Sequence, residues 1–388
     1  MIDILAGSAR LLLGAAIGLA FGTAHAEEGK AAGSAPRFRI LPACTAAPVS
    51  EACQRSLTVT RAEAVVHSAP DQALNYELYG QTIDITFRAS EAEPDFVFGD
   101  APYLCCDLQT FLQPVAPNVW GISIEAPKLS AAILELTLGN LANSPAPKRA
   151  FQGPDATHVL VRYQDGGLVP QRRTINSHYL KESRDIYEYR GRLCEHSLVG
   201  CKVIYLADGA QFSIFLNNSP SPKDLKALDL MVIVGIANPS KDDQFGGKRT
   251  GELLADAGDN PDFDAFERFV TEEVIPFVES TPVPRTARSV GGWSNGGAWA
   301  LSVALDRSDL FGSALAFSNG TWQPPSRAAP AKGLKVKFGG GTLERSPKIF
   351  EADARKVAAT GASLDEHYVV GGHSISTWNA LFWWAITP

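Results

Sequence analysis

The sequence has no C-x-x-C pair and no H-E-x-x-H, and its seven histidines are scattered over 388 residues. Zinc ribbons, thioredoxin-type redox chemistry and helical zinc-hydrolase sites therefore have no footing, and no metal or cofactor is expected. Basic residues are in deficit: 35 Lys and Arg stand against 42 Asp and Glu, a formal charge of −7. That balance argues against nonspecific nucleic-acid binding. Beyond the N-terminus no apolar run approaches the roughly 20 residues needed to span a bilayer. No internal repeat is present. With 45% hydrophobic and 20% charged residues, the composition is that of a globular protein.

The N-terminus carries one short apolar run, Leu11 to Gly22, behind Arg10 and ahead of Ala24-His25-Ala26. An apolar stretch followed by a small-residue A-x-A site predicts a secretory signal peptide over residues 1–26. The alternative, a membrane anchor, would need a longer run. No cysteine stands at the cleavage point, so a lipid anchor is not expected. The residues after Ala26 suffice for two domains. The six cysteines, at 44, 53, 105, 106, 194 and 201, read as disulfides behind an export signal. Cys194 and Cys201 bracket a polar loop and are expected to close it. Cys44 and Cys53 could pair likewise, leaving Cys105 and Cys106 as a vicinal pair; alternatively, each of these two joins a different N-terminal partner. A periplasmic or secreted location follows.

Residues 27–56 form an irregular, Ala- and Pro-rich lead-in. Within 57–150, Thr82–Arg88, Val119–Glu125 and Ile133–Leu138 alternate at period two, which predicts a small β-sandwich domain. Asn143-Ser144-Pro145-Ala146-Pro147-Lys148 reads as a linker. From 158 to 388 the pattern changes. Val159–Tyr163 and Asp185–Tyr189 read as lead-in strands. Val203–Ala207 and Leu230–Ile236 are near-continuous apolar runs suited to strands buried on both faces of a parallel sheet. Helical stretches lie between, such as Asp264–Ile275 with apolar residues at 266, 269, 270 and 274. The fold class is α/β.

Gly292-Trp293-Ser294-Asn295-Gly296 is a G-x-S-x-G. Arg288-Ser289-Val290 reads as the strand leading in and Ala298–Leu305 as the helix leading out. That is the strand–turn–helix context of a nucleophile elbow, with the Ser294 hydroxyl presented above the sheet. A serine hydroxyl needs a base. His373 follows the strand Glu366–Val370 in a Gly371-Gly372-His373-Ser374 loop and is the candidate; His367, inside the strand, reads as structural. The acid belongs between them in chain order. Glu344, in the loop after Leu334–Phe338, is the candidate, with Asp353, Asp365 and Glu366 as alternatives. The N–H groups of Asn295 and Ala210 are the candidate oxyanion donors.

Leu206-Ala207-Asp208-Gly209-Ala210, Gly292–Gly297, Gly341-Thr342-Leu343-Glu344 and Gly371-Gly372-His373 followed by Trp378 resemble the Putative esterase family of α/β-hydrolases. Enterochelin, feruloyl and acetylxylan esterases, esterase D and mycolyltransferases belong to it. Ser177–Arg184 is similar to that family's opening segment, and Arg249-Thr250-Gly251-Glu252 to an Arg-x-x-Glu in the loop after the second buried strand. The resemblance covers about 170–388. Residues 57–140, with Asn118-Val119-Trp120, are also similar to the β-sandwich that precedes the enterochelin-esterase catalytic domain. Two departures stand out: Ile375 occupies a position where several members have tryptophan, and the export signal differs from the enterochelin esterases with an N-terminal domain, which are generally cytoplasmic, so a direct siderophore reading is weakened.

The resemblance implies an α/β-hydrolase domain and a serine esterase acting on a small-molecule or carbohydrate ester, with Asp208, Arg249, Trp293 and Trp378 at the substrate; the signal peptide makes it an exported one. A mycolyltransferase-like acyltransferase and a catalytically dead binding module are the alternatives. Lys241, Lys248, Arg249 and Arg345 could face an anionic ferric siderophore, or be ordinary surface charge. Trp293, Trp322 and Trp378 could stack on a sugar or feruloyl ring, or pack in the core.

Overall fold

The computed structural model describes residues 53–387, except 56, 58, 67–72, 91–93, 98, 143–145, 163–166, 223, 240–246, 256–259, 321, 326–330 and 345–346. The proposed signal peptide, most of the lead-in, Cys44, Lys241 and Arg345 lie outside the described residues.

Residues 171–387 are built on one eight-stranded sheet. Its spatial order is Gln171–Asn176, Ser183–Arg190, Met231–Ile236, Lys202–Leu206, Arg288–Trp293, Ser313–Phe317, Lys335–Gly341 and Ser363–Val369. The first two strands run antiparallel to the neighbours they pair with, and from Met231–Ile236 onward all pairings are parallel. Parallel neighbours need crossovers, and helices such as Asn295–Asp306, Pro347–Ala359 and Ile375–Ile386 supply them or cover the sheet.

Both faces are dry, which explains the uninterrupted apolar runs. Val203 and Tyr205 pack on one side with Phe266, Trp299 and Leu301. Their strand neighbours Ile204 and Leu206 pack on the other with Phe215, Leu381 and Trp383. Alternation along a strand thus feeds two cores. The expected helix over 264–275 is part of a longer helical segment. It starts as Pro261–Arg268, capped by the Asn260 side chain, and passes through a π-helical stretch at Phe269–Val274 into Ile275–Val278. Phe266, Phe269, Val270 and Val274 are all buried, as their spacing required.

One expected strand is corrected. Val159–Arg162 is irregular. Its amides are taken instead by side chains: Leu160 N–H donates to Gln152, Val161 N–H to Ser376 Oγ and Arg162 N–H to Asn218. Side-chain acceptors gave the backbone an alternative to a sheet ladder. Conversely, the edge strand Gln171–Asn176 was not anticipated, because its residues are polar and mostly exposed.

The N-terminal residues form an antiparallel sheet. Cys53–Arg55, Val119–Glu125, Thr82–Arg88 and Leu74–Tyr79 lie side by side, and Gln113–Ala116 also pairs with Val119–Glu125. A separate ladder joins Ile133–Thr137 to Lys148–Gln152, so the stretch read as a linker leads straight into a strand. Ile83, Ile85, Ile122 and Ile124 from the sheet share one core with Leu134, Leu136 and Phe151 from the ladder. Leu343, from the loop after Lys335–Gly341, is buried in the same core.

Two disulfides are present among the described residues, Cys194–Cys201 and the vicinal Cys105–Cys106. No described helix is long and apolar enough to cross a membrane.

Candidate active site

The four parallel strands from Arg288–Trp293 to Ser363–Val369 are consecutive neighbours, so the loops leaving their C-terminal ends share one edge. That edge is where open α/β sheets gather chemistry. Ser294, Ser318, Glu344 and His373 all stand there.

Ser294 links its strand directly to the helix Asn295–Asp306 at φ 54°, ψ −130°. A non-glycine residue held at positive φ costs about 1–3 kcal/mol and persists only where its surroundings fix it. Here Ser294 N–H donates to Phe317 O at 3.0 Å, and Ser294 O accepts from Gly297 N–H at 3.0 Å. The turn closes so tightly that a Cβ at Gly292 would lie 2.5 Å from the main chain of Gly296. A Cβ at Gly296 would lie 3.2 Å from Ala207 O. The G-x-S-x-G spacing is thus a steric requirement of the turn.

His373 Nε2 is 3.2 Å from Ser294 Oγ, and its Nδ1 is 2.9 Å from Glu344 Oε2. Glu344 is in turn held by its other oxygen: Oε1 accepts from Ser318 Oγ at 2.6 Å and from Gly341 N–H at 2.8 Å. A carboxylate facing Nδ1 selects the tautomer with the proton on Nδ1, which leaves Nε2 free to accept from the serine. The glutamate is buried and the histidine nearly so, with side chains 5% and 13% exposed.

The alternatives are engaged elsewhere. His367 stacks on Trp384 at 5.0 Å and faces His158. Asp353 accepts from Asn319 and Lys356, Asp365 pairs with Lys337, and Glu366 accepts from the Tyr368 hydroxyl.

Ala210 sits in a 3₁₀ turn, Gly209–Gln211, directly after the strand Lys202–Leu206, and Asn295 is the first residue of the elbow helix. The contact of Gly296 with Ala207 and Asp208 brings these two segments together. Asp208 and Arg249 meet each other: Arg249 Nε donates to Asp208 Oδ1 at 2.8 Å, and a terminal guanidinium nitrogen reaches Oδ2. Glu252, three residues on, receives two hydrogen bonds from buried Arg184 at 2.7 and 3.0 Å. The Arg249-x-x-Glu252 spacing therefore places two ion pairs on one helical turn. Trp293 stacks on Trp378 with centroids 5.8 Å apart, and Trp378 meets the His373 ring edge-to-face at 5.0 Å. Trp322 is buried, its indole N–H donating to Ser302 Oγ. Lys248 pairs with Glu182.

Two polar groups at this edge had no sequence signal. Ser318, which anchors Glu344, is visible only as a serine after a buried strand. Asp107, whose main-chain oxygen accepts from His373 N–H at 2.7 Å, comes from the N-terminal β unit and lies in no motif.

A mostly parallel sheet covered by helices on both faces, with a nucleophile-elbow turn at its C-terminal edge, defines an α/β-hydrolase-like fold. The chain belongs to the Putative esterase family, whose model matches residues 188–385. By that membership it is a carboxylic ester hydrolase. The enterobactin esterase of Shigella flexneri, solved in the presence of 2,3-di-hydroxy-N-benzoyl-serine, is similar in structure. It has a TM-score of 0.56 and 17% identity over 81% of this chain and 95% of that chain. The ferric enterobactin esterase of Salmonella typhimurium has a TM-score of 0.55 and 18% identity over 84% of this chain and 97% of that one. At such identities the likeness is one of fold. No curated protein matches in sequence.

Proposed function

We propose that the chain is an exported serine esterase that works through an acyl-enzyme. The single observation that carries this reading is the unbroken path from Ser294 Oγ through His373 to Glu344, at 3.2 and 2.9 Å. In acylation Ser294 Oγ attacks the ester carbonyl carbon while His373 Nε2 takes its proton. The Asn295 and Ala210 N–H groups receive the oxyanion. Collapse breaks the carbon–oxygen bond of the ester, and the leaving alkoxide takes the proton from Nε2. Water then repeats the sequence in reverse roles, with Nε2 as base, and frees the acid and Ser294. Glu344 keeps the imidazole in its working tautomer and stabilises the imidazolium.

Asp208 and Arg249 neutralise each other, and their role is to hold the turn that carries Ala210. Trp378, backed by the buried Trp293, offers an aromatic surface beside the imidazole, suited to an aromatic acyl group or a sugar face. The enterobactin esterases share the fold, so a siderophore ester is one substrate class; an acylated carbohydrate is the other. The N-terminal unit is a small β-sandwich domain placed before the hydrolase domain. Removal of residues 1–26 on export accords with the two disulfides, which persist in oxidising compartments.

The test is hydrolysis of p-nitrophenyl acetate, acetylated sugars, feruloyl esters and a siderophore lactone by purified protein. Turnover of at least one ester, lost on Ser294→Ala with the fold intact, is expected. Residual turnover above about a third of wild type would place the nucleophile elsewhere, since removing a true nucleophile leaves only a minute fraction of the rate.

A further inference from the structure

We propose that Asp107, from the N-terminal β unit, is a positioning residue for catalysis: it holds the loop that presents His373 to Ser294. The inference rests on the serine-esterase reading above.

The loop Gly371–Ser374 is held from outside its own sheet. His373 N–H donates to Asp107 O at 2.7 Å, and Ile133 N–H donates to Val370 O at 2.9 Å. Three residues after His373, Ser376 N–H donates to Glu135 Oε2 at 2.8 Å. Asp107 ties these contacts together, because its own Oδ2 accepts from Glu135 N–H at 2.6 Å. The fit at the loop is close. A Cβ at Gly372 would lie 1.8 Å from Asp107 Oδ1 and 2.5 Å from Asp107 O. Only glycine lets the loop approach the aspartate this closely. With Gly372 pressed on its carboxyl and His373 bonded to its carbonyl, Asp107 sets where the imidazole begins.

The carboxyl is 1% exposed, and Oδ1 makes no full hydrogen bond. Its surroundings are anionic: Glu135 faces it from the strand Ile133–Thr137 and Glu344 from the triad loop, and His373 follows Gly372. Burial, above all, pushes its pKa up to about 8, with Glu135 and Glu344 adding to the rise and the amides of Glu135 and Gly372 opposing it. At neutral pH Asp107 is a neutral acid that fits beside two carboxylates. Above that value it becomes a buried negative charge at the loop, beside Glu344 and the half-buried Glu135.

The experiment compares wild type, Asp107→Asn and Asp107→Ala across pH 6–10 with p-nitrophenyl acetate. The proton resonance of the His373–Glu344 hydrogen bond, assigned by its loss in His373→Ala, is followed in parallel. Asp107→Ala is expected to lower kcat by about 10- to 100-fold, the scale of a small misplacement of a catalytic group, with KM within about twofold. Its low-field resonance should broaden or vanish. Asp107→Asn, isosteric and neutral, should recover most of the lost rate and keep the resonance. Wild-type kcat should fall above pH 8, and Asp107→Asn should abolish that fall; a wild-type kcat that stays level to pH 10 would overturn the charge argument.

An alanine variant with wild-type kcat and resonance would overturn the proposal, as would an asparagine variant that retains the alkaline fall. If the alanine variant does not fold, the asparagine pH profile decides alone. A wild-type protein that shows the resonance but hydrolyses no ester would refute the esterase reading instead, and the resonance in the variants would still judge the role of Asp107.

Discussion

Replacing Glu344 by glutamine changes one atom, and the structure says which way the new amide must turn. Oε1 receives two donors, Ser318 Oγ–H and Gly341 N–H. The hydroxyl can rotate to accept, but the backbone N–H of Gly341 cannot. The glutamine carbonyl therefore stays at the Oε1 position, and its NH₂ is turned toward His373 Nδ1. That donor demands an unprotonated Nδ1, which puts the ring proton on Nε2, pointing at Ser294, where it cannot act as base. Flipping the amide restores the tautomer but sets NH₂ against Gly341 N–H, leaving a buried donor unmet at about 1–3 kcal/mol. The variant also lacks the charge that stabilises the imidazolium. Together these give an expected loss in kcat on the order of 10³- to 10⁴-fold, the upper end matching the analogous change in a well-studied triad. The assay is steady-state hydrolysis of p-nitrophenyl acetate, with circular dichroism and thermal melting to show that the fold survives. Near-wild-type kcat for Glu344→Gln, with Asp353→Asn or Asp365→Asn inactive, would refute the assignment.

His373→Ala should abolish turnover, whereas His367→Ala, which loses its ring contacts with Trp384 and His158, should hydrolyse ester at close to the wild-type rate; the reverse result would misplace the catalytic loop. Gly292→Ala should destabilise by several kcal/mol or fail to fold, because its Cβ would meet backbone that cannot move aside at 2.5 Å; a stable, active variant would contradict the elbow geometry. The stability of Asp107 also has a sign. Its pKa is higher folded, about 8, than unfolded, near 3.8, so the native state binds more protons between those values. Stability therefore falls as pH rises through that window. The melting temperature of Asp107→Asn should rise relative to wild type from pH 4 to pH 8, and an unchanged difference would refute the burial argument. Peptide mapping of exported protein should find Cys194 joined to Cys201; two free thiols would count against export as well as against the pairing.

Much of the catalytic unit was legible because its constraints are local. Strands buried on both faces leave continuous apolar runs, and the elbow leaves glycines two residues to either side of its serine. The order of Ser294, Glu344 and His373 along the chain follows from where each strand ends. What stayed hidden depends on contacts between segments far apart in sequence. Val159–Arg162 has the composition of a strand, but the side chains of Gln152, Ser376 and Asn218 satisfy its amides. Gln171–Asn176 has the composition of a loop, yet it pairs along the sheet edge, where polar residues are tolerated. Ser318 and Asp107 carry no pattern, since each works through a single contact with a residue elsewhere in the chain. Asp208, after the strand Lys202–Leu206, and Arg249, on the helix Gly247–Leu253, pair with each other across 41 residues of sequence, a contact that no local pattern announces.

The most direct test of the account is to find the residue that forms the covalent intermediate. Purified protein is treated with a fluorophosphonate probe, digested and mapped by mass spectrometry. The account requires one adduct, on the peptide containing Ser294, formed in wild type, absent in Ser294→Ala and strongly slowed in His373→Ala. An adduct on another residue, or none in protein that still hydrolyses p-nitrophenyl acetate, would contradict it.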